Sequence, residues 1–345
     1  MMNEVNPLVS VVMAVYNGEK YLTEAIESIQ KQTCQDFEFI MIDDASTDRS
    51  GEIIEKFQRS DKRIRAIRNE KNSGLGVSLN RGVSITKGQF IARMDADDIS
   101  QPDRFERQLT YLKQNPGILV LGGSCIMIDE QGKEKGTTIF PNDPDLMRWN
   151  MLLGNGMIIV HGTAMFRREF FERFGNYGKF RAAQDFELWT RTFDEEPLPI
   201  ANLGEVIYTY RNHENTTTNS QNNLQERNAM RVRQQKIEAF LGKAISPNVV
   251  LAYRHPGDHY VDIRSCILVW NEIYEKFMSH FHVNKETRAL IKAELLYEIN
   301  KYTSLRPNRS QTRQRASFWG VAPYLKADLA FGLLRCKLCW IKNPT

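Results

Sequence analysis

Leu8-Val-Ser-Val-Val-Met-Ala-Val-Tyr16 is a short, almost continuously apolar run rich in β-branched residues. Such a run suits a parallel strand covered on both faces, where neither side of the pleat meets water. Asn17-Gly18 breaks it, and Leu22, Ile26 and Ile29 then recur at helical spacing with charges between them. Phe37 to Ile42 predicts a second strand that stops at Asp43-Asp44. Ser46-Thr47-Asp48 has the chemistry of a helix cap and opens a segment through Phe57. Ile64 to Arg68 predicts a third strand, and Asn72-Ser73-Gly74-Leu75-Gly76 a glycine-bearing loop before a helix near Val77 to Ile85. A fourth strand, Phe90 to Met94, runs straight into Asp95-Ala96-Asp97-Asp98. This alternation predicts a right-handed, mostly parallel α/β sheet with helices on both faces.

After Pro102 the pattern changes. Phe105, Leu109 and Leu112 mark a helix, Ile118 to Ile128 a strand interrupted at Gly122-Gly123, and Met157 to Phe166 another apolar stretch. Val206 to Tyr210 predicts a last strand before a polar loop, Asn212 to Asn223. From Leu224 onward the periodicity is helical, over Met230 to Phe240, Cys266 to Phe281 and Lys285 to Tyr297. Two regions are therefore expected: 1–220, mixed α/β, and 221–345, a helical C-terminal region.

With 345 residues, 41% hydrophobic and 26% charged, the composition is that of an ordinary soluble protein. The net charge of +4 is uneven: from Lys301 to Thr345 there are nine Lys or Arg and one acid, Asp328. A near-neutral body with a basic end is not the footprint of a nucleic-acid protein, whose charge lines a binding face. Five scattered cysteines, of which only Cys336 and Cys339 are close, form no disulfide framework and favour a reducing cytoplasm. No apolar run approaches the ~20 residues of a spanning helix, and no secretory h-region precedes Leu8. The tail joins Phe318, Trp319, Tyr324 and Phe331 to Arg335, Lys337 and Lys342. It reads either as an interfacial segment in peripheral contact with the inner face of an anionic membrane, or as a helix packed on its own domain or on a partner subunit of a homo-oligomer.

In open parallel sheets ligands bind beyond the C-terminal ends of the strands. Asn17, Asp43-Asp44 and Asp95 to Asp98 all fall there. If the strand persists past Met94, Asp95 and Asp97 face the same side. Carboxylates massed at one point repel unless a cation joins them. Mg2+ or Mn2+ resolves this by binding one or two carboxylates plus substrate phosphate oxygens. A solvated acidic turn is the plain alternative for an isolated Asp-x-Asp; its place after a buried strand, across from Asp43-Asp44, favours the metal.

Val9-Ser-Val-Val-Met-Ala-Val-Tyr-Asn17, Ile42-Asp-Asp-Ala-Ser-Thr-Asp48 and Gly88-Gln-Phe-Ile-Ala-Arg-Met-Asp-Ala-Asp-Asp98 resemble, in order and spacing, the opening motifs of family 2 glycosyltransferases of the bacterial polysaccharide-biosynthesis type. The resemblance extends over residues 8 to 215. It implies a Rossmann-like GT-A fold, a nucleotide-diphosphate sugar as donor, a divalent metal, and inversion at the anomeric carbon. Carried over by position, it implies that Asp44 bonds a uracil-type base and that Ala14 and Tyr16 line the nucleotide pocket. Asp97 would be the principal metal ligand, Asp95 would lie near the ribose or second to Asp97 on the metal, and Asp98 would support both. A carboxylate accepts the ring N–H of uracil or thymine but finds none on cytosine, so a UDP- or dTDP-sugar is expected. Arg93 stays open between a phosphate partner and a structural partner of Asp98 or Asp103.

Inversion by single displacement needs one general base for the acceptor hydroxyl. Ala183-Gln184-Asp185-Phe186-Glu187-Leu188-Trp189 resembles the family's glutamate-aspartate motif, with Gln184 in place of the usual acid, and this implies Asp185 as the base. Read without the resemblance, Asp185 caps a helix that begins at Phe186; the two roles are compatible. The segment around His161 resembles one that lines the acceptor side, and Tyr210-Arg211-Asn212-His213 one near the far wall. His213 is open to the diphosphate, to the metal or to a place in polar surface. Trp189 is expected to pack beneath the base helix, and His255 and His259 to flank a turn.

The expected activity is transfer of a hexosyl or N-acetylhexosaminyl group to a glycan or lipid-linked acceptor. Two other classes share some features. A nucleotidyltransferase would carry a glycine- and arginine-rich phosphate loop where Tyr16-Asn17-Gly18-Glu19 stands. A non-catalytic glycan- or partner-binding protein could dispense with Asp44, Asp97 and Asp185, which are all retained.

Overall fold

The structure is a computed structural model that describes residues 6–154, 156–214, 216, 222–254 and 262–304. The turn flanked by His255 and His259, most of the polar loop, Cys336, Cys339 and the basic apolar tail lie outside the described residues. Strands β1 (Val9–Val15), β2 (Phe37–Asp43), β3 (Ile64–Arg68) and β4 (Phe90–Met94) are parallel and lie in the order β3-β2-β1-β4. Helices α1 (Leu22–Gln30), α2 (Ser50–Ser60) and α3 (Leu75–Val83) connect them. Pleating sends alternate residues to opposite faces. Val9, Val11, Met13 and Val15 share a core with Leu22, Ile26 and Ile29 of α1. Val12 points the other way, and its Cγ1 would lie 2.5 Å from a Cβ added to Gly82. Glycine at 82 is what lets α3 settle on that face.

Beyond β4 the sheet becomes mixed. In chain order come β5 (Ile99–Ser100), α4 (Arg104–Gln114), β6 (Val120–Ile128), β7 (Glu134–Thr138), α5 (Pro144–Leu152), a 3-10 turn (His161–Thr163), β8 (Met165–Arg167), α6 (Arg168–Phe174), α7 (Gln184–Thr190) and β9 (Ile200–Arg211). The full order is β3-β2-β1-β4-β8-β6-β9-β5, with β7 paired to β6. β8 runs antiparallel to β4 and β6, β9 parallel to β6, and β5 antiparallel to β9.

One sequence expectation changes here. The pair Gly122-Gly123 does not interrupt the strand. A Cβ at Gly122 would come within 2.4 Å of Asn202 Oδ1, and one at Gly123 within 2.6 Å of Ile207 Cδ1. The glycines admit β9 at close range, and the register shifts beside them. Of the apolar stretch Met157 to Phe166, only its end is strand, because His161 to Thr163 turn first.

The described residues form two compact units, which are not two consecutive stretches of chain. One comprises Met1–Pro144 and Met157–Ala229, the other Asp145–Gly156 and Met230–Thr345. The last boundary falls after Ala229, and the segment 145–156 belongs with the helices. In that unit the part of α8 (Asn222–Leu241) from Met230 on, α9 (Pro247–Arg254), α10 (Ile263–His280) and α11 (Lys285–Ser304) follow one another. Trp149 of α5 packs edge-on to Tyr274 and Phe277 and donates its ring N–H to Glu294 at 3.1 Å. Buried Arg233 donates to the Asn150 and Leu152 carbonyls at the end of α5. Among the described residues no helix is long and apolar enough to cross a membrane.

Candidate active site

The C-terminal ends of β1 and β2 are held together by side chains of their own loops. Asn17 adopts a left-handed backbone (φ 52°), and its Oδ1 accepts the Thr47 N–H at 2.8 Å. Ser46 Oγ and Ser50 Oγ accept the N–H groups of Asn17 and Gly18. Asp48 Oδ1 accepts from Ser50 N at 2.9 Å, which satisfies a donor at the start of α2. Ala14 pairs with Ile42 inside the sheet, while Tyr16, just past β1, is half exposed.

Asp44 is almost fully buried. Its Oδ1 accepts from Asn69 Nδ2 at 2.6 Å and Ser73 N at 2.9 Å, and its Oδ2 from Gly74 N at 2.8 Å. The carboxylate thus organises the loop that leads into α3. Of its four lone-pair positions, three are taken by these donors, and one on Oδ2 accepts from none of the described residues.

β4 ends at Met94, so the acidic turn begins after the strand, and Asp95 and Asp97 take different partners. Asp95 forms an ion pair with Arg93, whose guanidinium is buried. Arg93 therefore pairs with Asp95, whereas Asp103 pairs with Arg107. Asp97 keeps 30% of its side chain exposed and meets His213 Nε2 at 2.9 Å through Oδ2. The His213 ring lies 5.1 Å from that of Tyr21. Asp98 is buried, and its Oδ1 accepts the Arg211 N–H at 2.7 Å. Burial, and then the charge of Asp97, push the Asp98 carboxyl well above the usual carboxylate range.

Three residues to which no motif assigned a role complete this turn. The Tyr208 hydroxyl, from β9, accepts the Asp95 N–H at 3.2 Å. Arg211 Nε donates to the Asp97 carbonyl at 3.0 Å. Arg104 of α4 is fully buried and donates to the Arg93 carbonyl at 2.9 Å; desolvation lowers its pKa to about 10. Tyr208 and Arg211 sit within a strand and segment visible in the sequence, but their aim depends on β9 pairing with β6 and β5.

Asp185 lies in the first turn of α7, one residue inside the helix, so it is not the cap. Ala183, the residue at the cap position, has a left-handed backbone (φ 61°). Desolvation raises the Asp185 pKa; the Phe186 N–H and the positive charge of Arg93 oppose that rise. Arg93 likewise acts on His161, whose pKa is lowered well below the ordinary value, mainly by burial. His161 Nε2 lies 2.8 Å from the Tyr177 hydroxyl. Trp189 is buried, stacked on Phe166 with centroids 5.7 Å apart and edge-on to His161. Gln184 is buried, and its Oε1 has no hydrogen-bond partner among the described residues.

The chemistry of the donor set suits a divalent ion in part. A carboxylate oxygen and an imidazole nitrogen face each other at Asp97 and His213. Among the described residues no group of three or more His, Cys, Asp or Glu forms a metal cage on its own. An ion held here would complete its shell with diphosphate oxygens and water, as Mg2+ and Mn2+ do.

A parallel βαβ half that continues into a mixed sheet, with an acidic turn after β4 and a carboxylate at the mouth of α7, defines a GT-A protein. Residues 10–175 match the family model described as Glycosyl transferase family 2. The chain is 33% identical over 218 residues to the O-antigen biosynthesis glycosyltransferase WbnJ of Escherichia coli, covering 62% of this chain and 83% of that protein. The fold is similar to that of TarS from S. aureus, solved with UDP-GlcNAc (TM-score 0.54, 17% identity, 96% of this chain and 87% of that one). It is also similar to the mannosyltransferase PcManGT of Pyrobaculum calidifontis, solved with GDP-Man and Mn2+ (TM-score 0.50, 16% identity, 97% and 89%). The chain belongs to glycosyl transferase family 2 and is a glycosyltransferase, with relatives in polysaccharide biosynthesis.

Proposed function

We propose that the enzyme is a metal-dependent, inverting transferase that moves a hexosyl or N-acetylhexosaminyl group from a UDP- or dTDP-sugar to a hydroxyl of a glycan or lipid-linked acceptor. The observation that carries this reading is electrostatic. One buried cation, Arg93, pairs with Asp95 and acts on both Asp98 and Asp185, which supports reading the acidic turn and the carboxylate of α7 as parts of one site. Asp185 takes the proton of the acceptor hydroxyl while that oxygen attacks the anomeric carbon. The bond from that carbon to the diphosphate breaks, and the diphosphate leaves with the electron pair. Desolvation makes Asp185 a stronger base than an ordinary carboxylate, and Arg93 keeps enough of it ionised to act.

Asp97 and His213 would hold the divalent ion, with Asp95 beside them; when bound it neutralises charge on the departing diphosphate. Tyr16 and Ala14 would border the base, and Asp44 would offer the open position on Oδ2 to a ring N–H. The donors resolved in TarS and PcManGT carry UDP and GDP respectively, so both belong in a test panel. The basic end of the chain is proposed to rest on an anionic membrane face where a lipid-linked acceptor would be met.

The test is release of nucleotide from UDP-, dTDP- and GDP-sugars, with and without Mn2+. Metal-dependent turnover of a UDP- or dTDP-sugar is expected, and Asp97→Ala should lose it by at least ~10²-fold with Tm unchanged. Full turnover in that variant would overturn the metal assignment, and turnover of the GDP-sugar alone would overturn the donor preference. No turnover of any donor would favour a binding protein. Unchanged membrane fractionation after deletion of residues 316–345 would remove the membrane contact.

A further inference from the structure

The transfer needs its donor loop and its base in fixed register, and the structure holds a bond between them that no motif announces. Asn80, on α3, makes a reciprocal pair with the main chain of Tyr177: Nδ2 donates to the Tyr177 carbonyl at 2.9 Å, and Oδ1 accepts the Tyr177 N–H at 2.9 Å. α3 begins where the Asp44 loop ends, since Ser73 and Gly74 donate to Asp44 immediately before it. Its first turn packs on the same segment, because a Cβ on Gly76 would sit 3.6 Å from the Gly178 carbonyl and from Tyr177 Cβ.

The other side of that segment is fastened to the helix that carries Asp185. Arg191, just past α7, donates to the carbonyls of Phe174 and Asn176 at 2.7 and 2.8 Å. Glu187 grips the same guanidinium at 2.9 and 2.6 Å. A Cβ on Gly178 would meet Glu187 Oε2 at 2.8 Å, so the segment lies directly on α7. Between these anchors the Tyr177 hydroxyl reaches His161, whose ring stands edge-on to Trp189 of α7. Tyr177 is buried, and the charge of Asp185 helps to raise its pKa.

We propose that Asn80 is a positioning residue for the transfer: by clamping Tyr177 it locks the segment 174–178 between the helix that starts at the Asp44 loop and the helix that carries Asp185. Donor loop and base then move as one body, which is what a reaction sensitive to displacements of about 1 Å requires. The side chain touches neither reacting group, so its influence is on alignment.

The inference rests on the transferase reading, and the experiment separates the two. Full-length wild type, Asn80→Ala and the near-isosteric Asn80→Asp are compared in kcat, donor KM, UDP affinity by calorimetry, and hydrogen exchange over residues 174–185. Asn80→Ala is expected to lower kcat by roughly 10- to 100-fold while UDP affinity and donor KM stay within about twofold, and to speed exchange at Tyr177. Asn80→Asp keeps the acceptor for the Tyr177 N–H and loses the donor, so it should fall between. Unchanged kcat in Asn80→Ala overturns the proposal. So does a loss of UDP affinity as large as the loss of kcat, because that marks collapse of the Asp44 loop. Should wild type itself show no turnover, the function assigned above fails, and unchanged exchange at Tyr177 in both variants would still overturn the clamp.

Discussion

Gly162 supports the acidic turn from below, and its replacement by alanine has a size that can be worked out. A Cβ there would lie 2.4 Å from the Tyr208 hydroxyl oxygen, 2.6 Å from Tyr208 Cζ and 2.9 Å from Asp95 Oδ2. Ordinary contact begins near 3.4 Å, so the phenol would have to retreat by about 1 Å. Tyr208 has no room to do so cheaply. Its side chain is completely buried, and the Arg104 guanidinium lies 5.4 Å from its ring centroid. A retreat of that size takes the Asp95 N–H bond, now 3.2 Å, out of range. Overpacking costs about 1–3 kcal/mol and the lost hydrogen bond about 1 kcal/mol, for a total of about 2–4 kcal/mol. In a unit of this size that lowers Tm by roughly 5–15 °C. Because Asp95 shifts with the tyrosine, turnover should drop by about 10²-fold. Gly117→Ala is the control, since a Cβ at 117 meets nothing within 4 Å. Thermal melts and donor turnover of the two variants decide the matter. If Gly162→Ala melts within 2 °C of Gly117→Ala (about half a kcal/mol) and retains full activity, the contact between Gly162, Tyr208 and Asp95 is not what holds the turn.

Asp185→Asn should reduce turnover by about 10²–10⁴-fold and yet raise Tm at neutral pH. A carboxylate whose folded pKa is raised stabilises the fold below its unfolded pKa and loses that contribution as pH climbs through the folded value. The Tm advantage of the asparagine variant should therefore appear on going from pH 4 to pH 8, and equal melts at both would refute the burial argument. For the same reason the acid limb of kcat/KM in wild type should lie above the ordinary aspartate value of 3.8; a limb at or below it would count against Asp185 as base. On the far face of the sheet, Gly82→Ala should cost about 1–3 kcal/mol and Val12→Ala about 2 kcal/mol. The double variant should recover at least ~1 kcal/mol, because the new methyl occupies the space that Val12 Cγ1 leaves. Denaturant melts that add within ~0.5 kcal/mol would show that α3 does not pack there.

The parallel half of the fold was legible because its strands are buried on both faces: Val9 to Val15, Phe37 to Ile42 and Phe90 to Met94 have too few polar residues to be anything else. The chain beyond Pro102 was harder to read for a physical reason. β6 carries two glycines whose purpose is the approach of Asn202 and Ile207, residues about eighty positions away, and only the pairing with β9 reveals it. The segment 145–156 has the composition of any amphipathic helix, and nothing in it records that Trp149 will find Glu294. In the candidate site, Asp44, Asp97 and Asp185 could be proposed from the sequence because each stands at a strand end or in a recognisable motif. Tyr208, Arg211 and Asn80 act through chain segments far off in sequence, which local patterns do not encode.

The three aspartates of the acidic turn are chemically different, and the difference bears on which of them would meet a metal. Asp95 has its charge answered by Arg93, a guanidinium that is buried and therefore weakly screened. Asp98 is desolvated, feels the charge of Asp97, and is biased toward its protonated form, with the Arg211 N–H bound to one oxygen. With Asp98 shifted toward protonation and Asp95 paired with Arg93, Asp97 is the carboxylate of the turn with which no arginine or lysine among the described residues forms an ion pair. It is also the member that keeps nearly a third of its side chain open and that faces an imidazole. Repulsion within the cluster is thus relieved at Asp95 by an ion pair and at Asp98 by the shift toward protonation, while Asp97 meets only the His213 ring among these partners. That asymmetry would favour Asp97 as the principal ligand of a bound cation, with Asp95, already paired with Arg93, second to it.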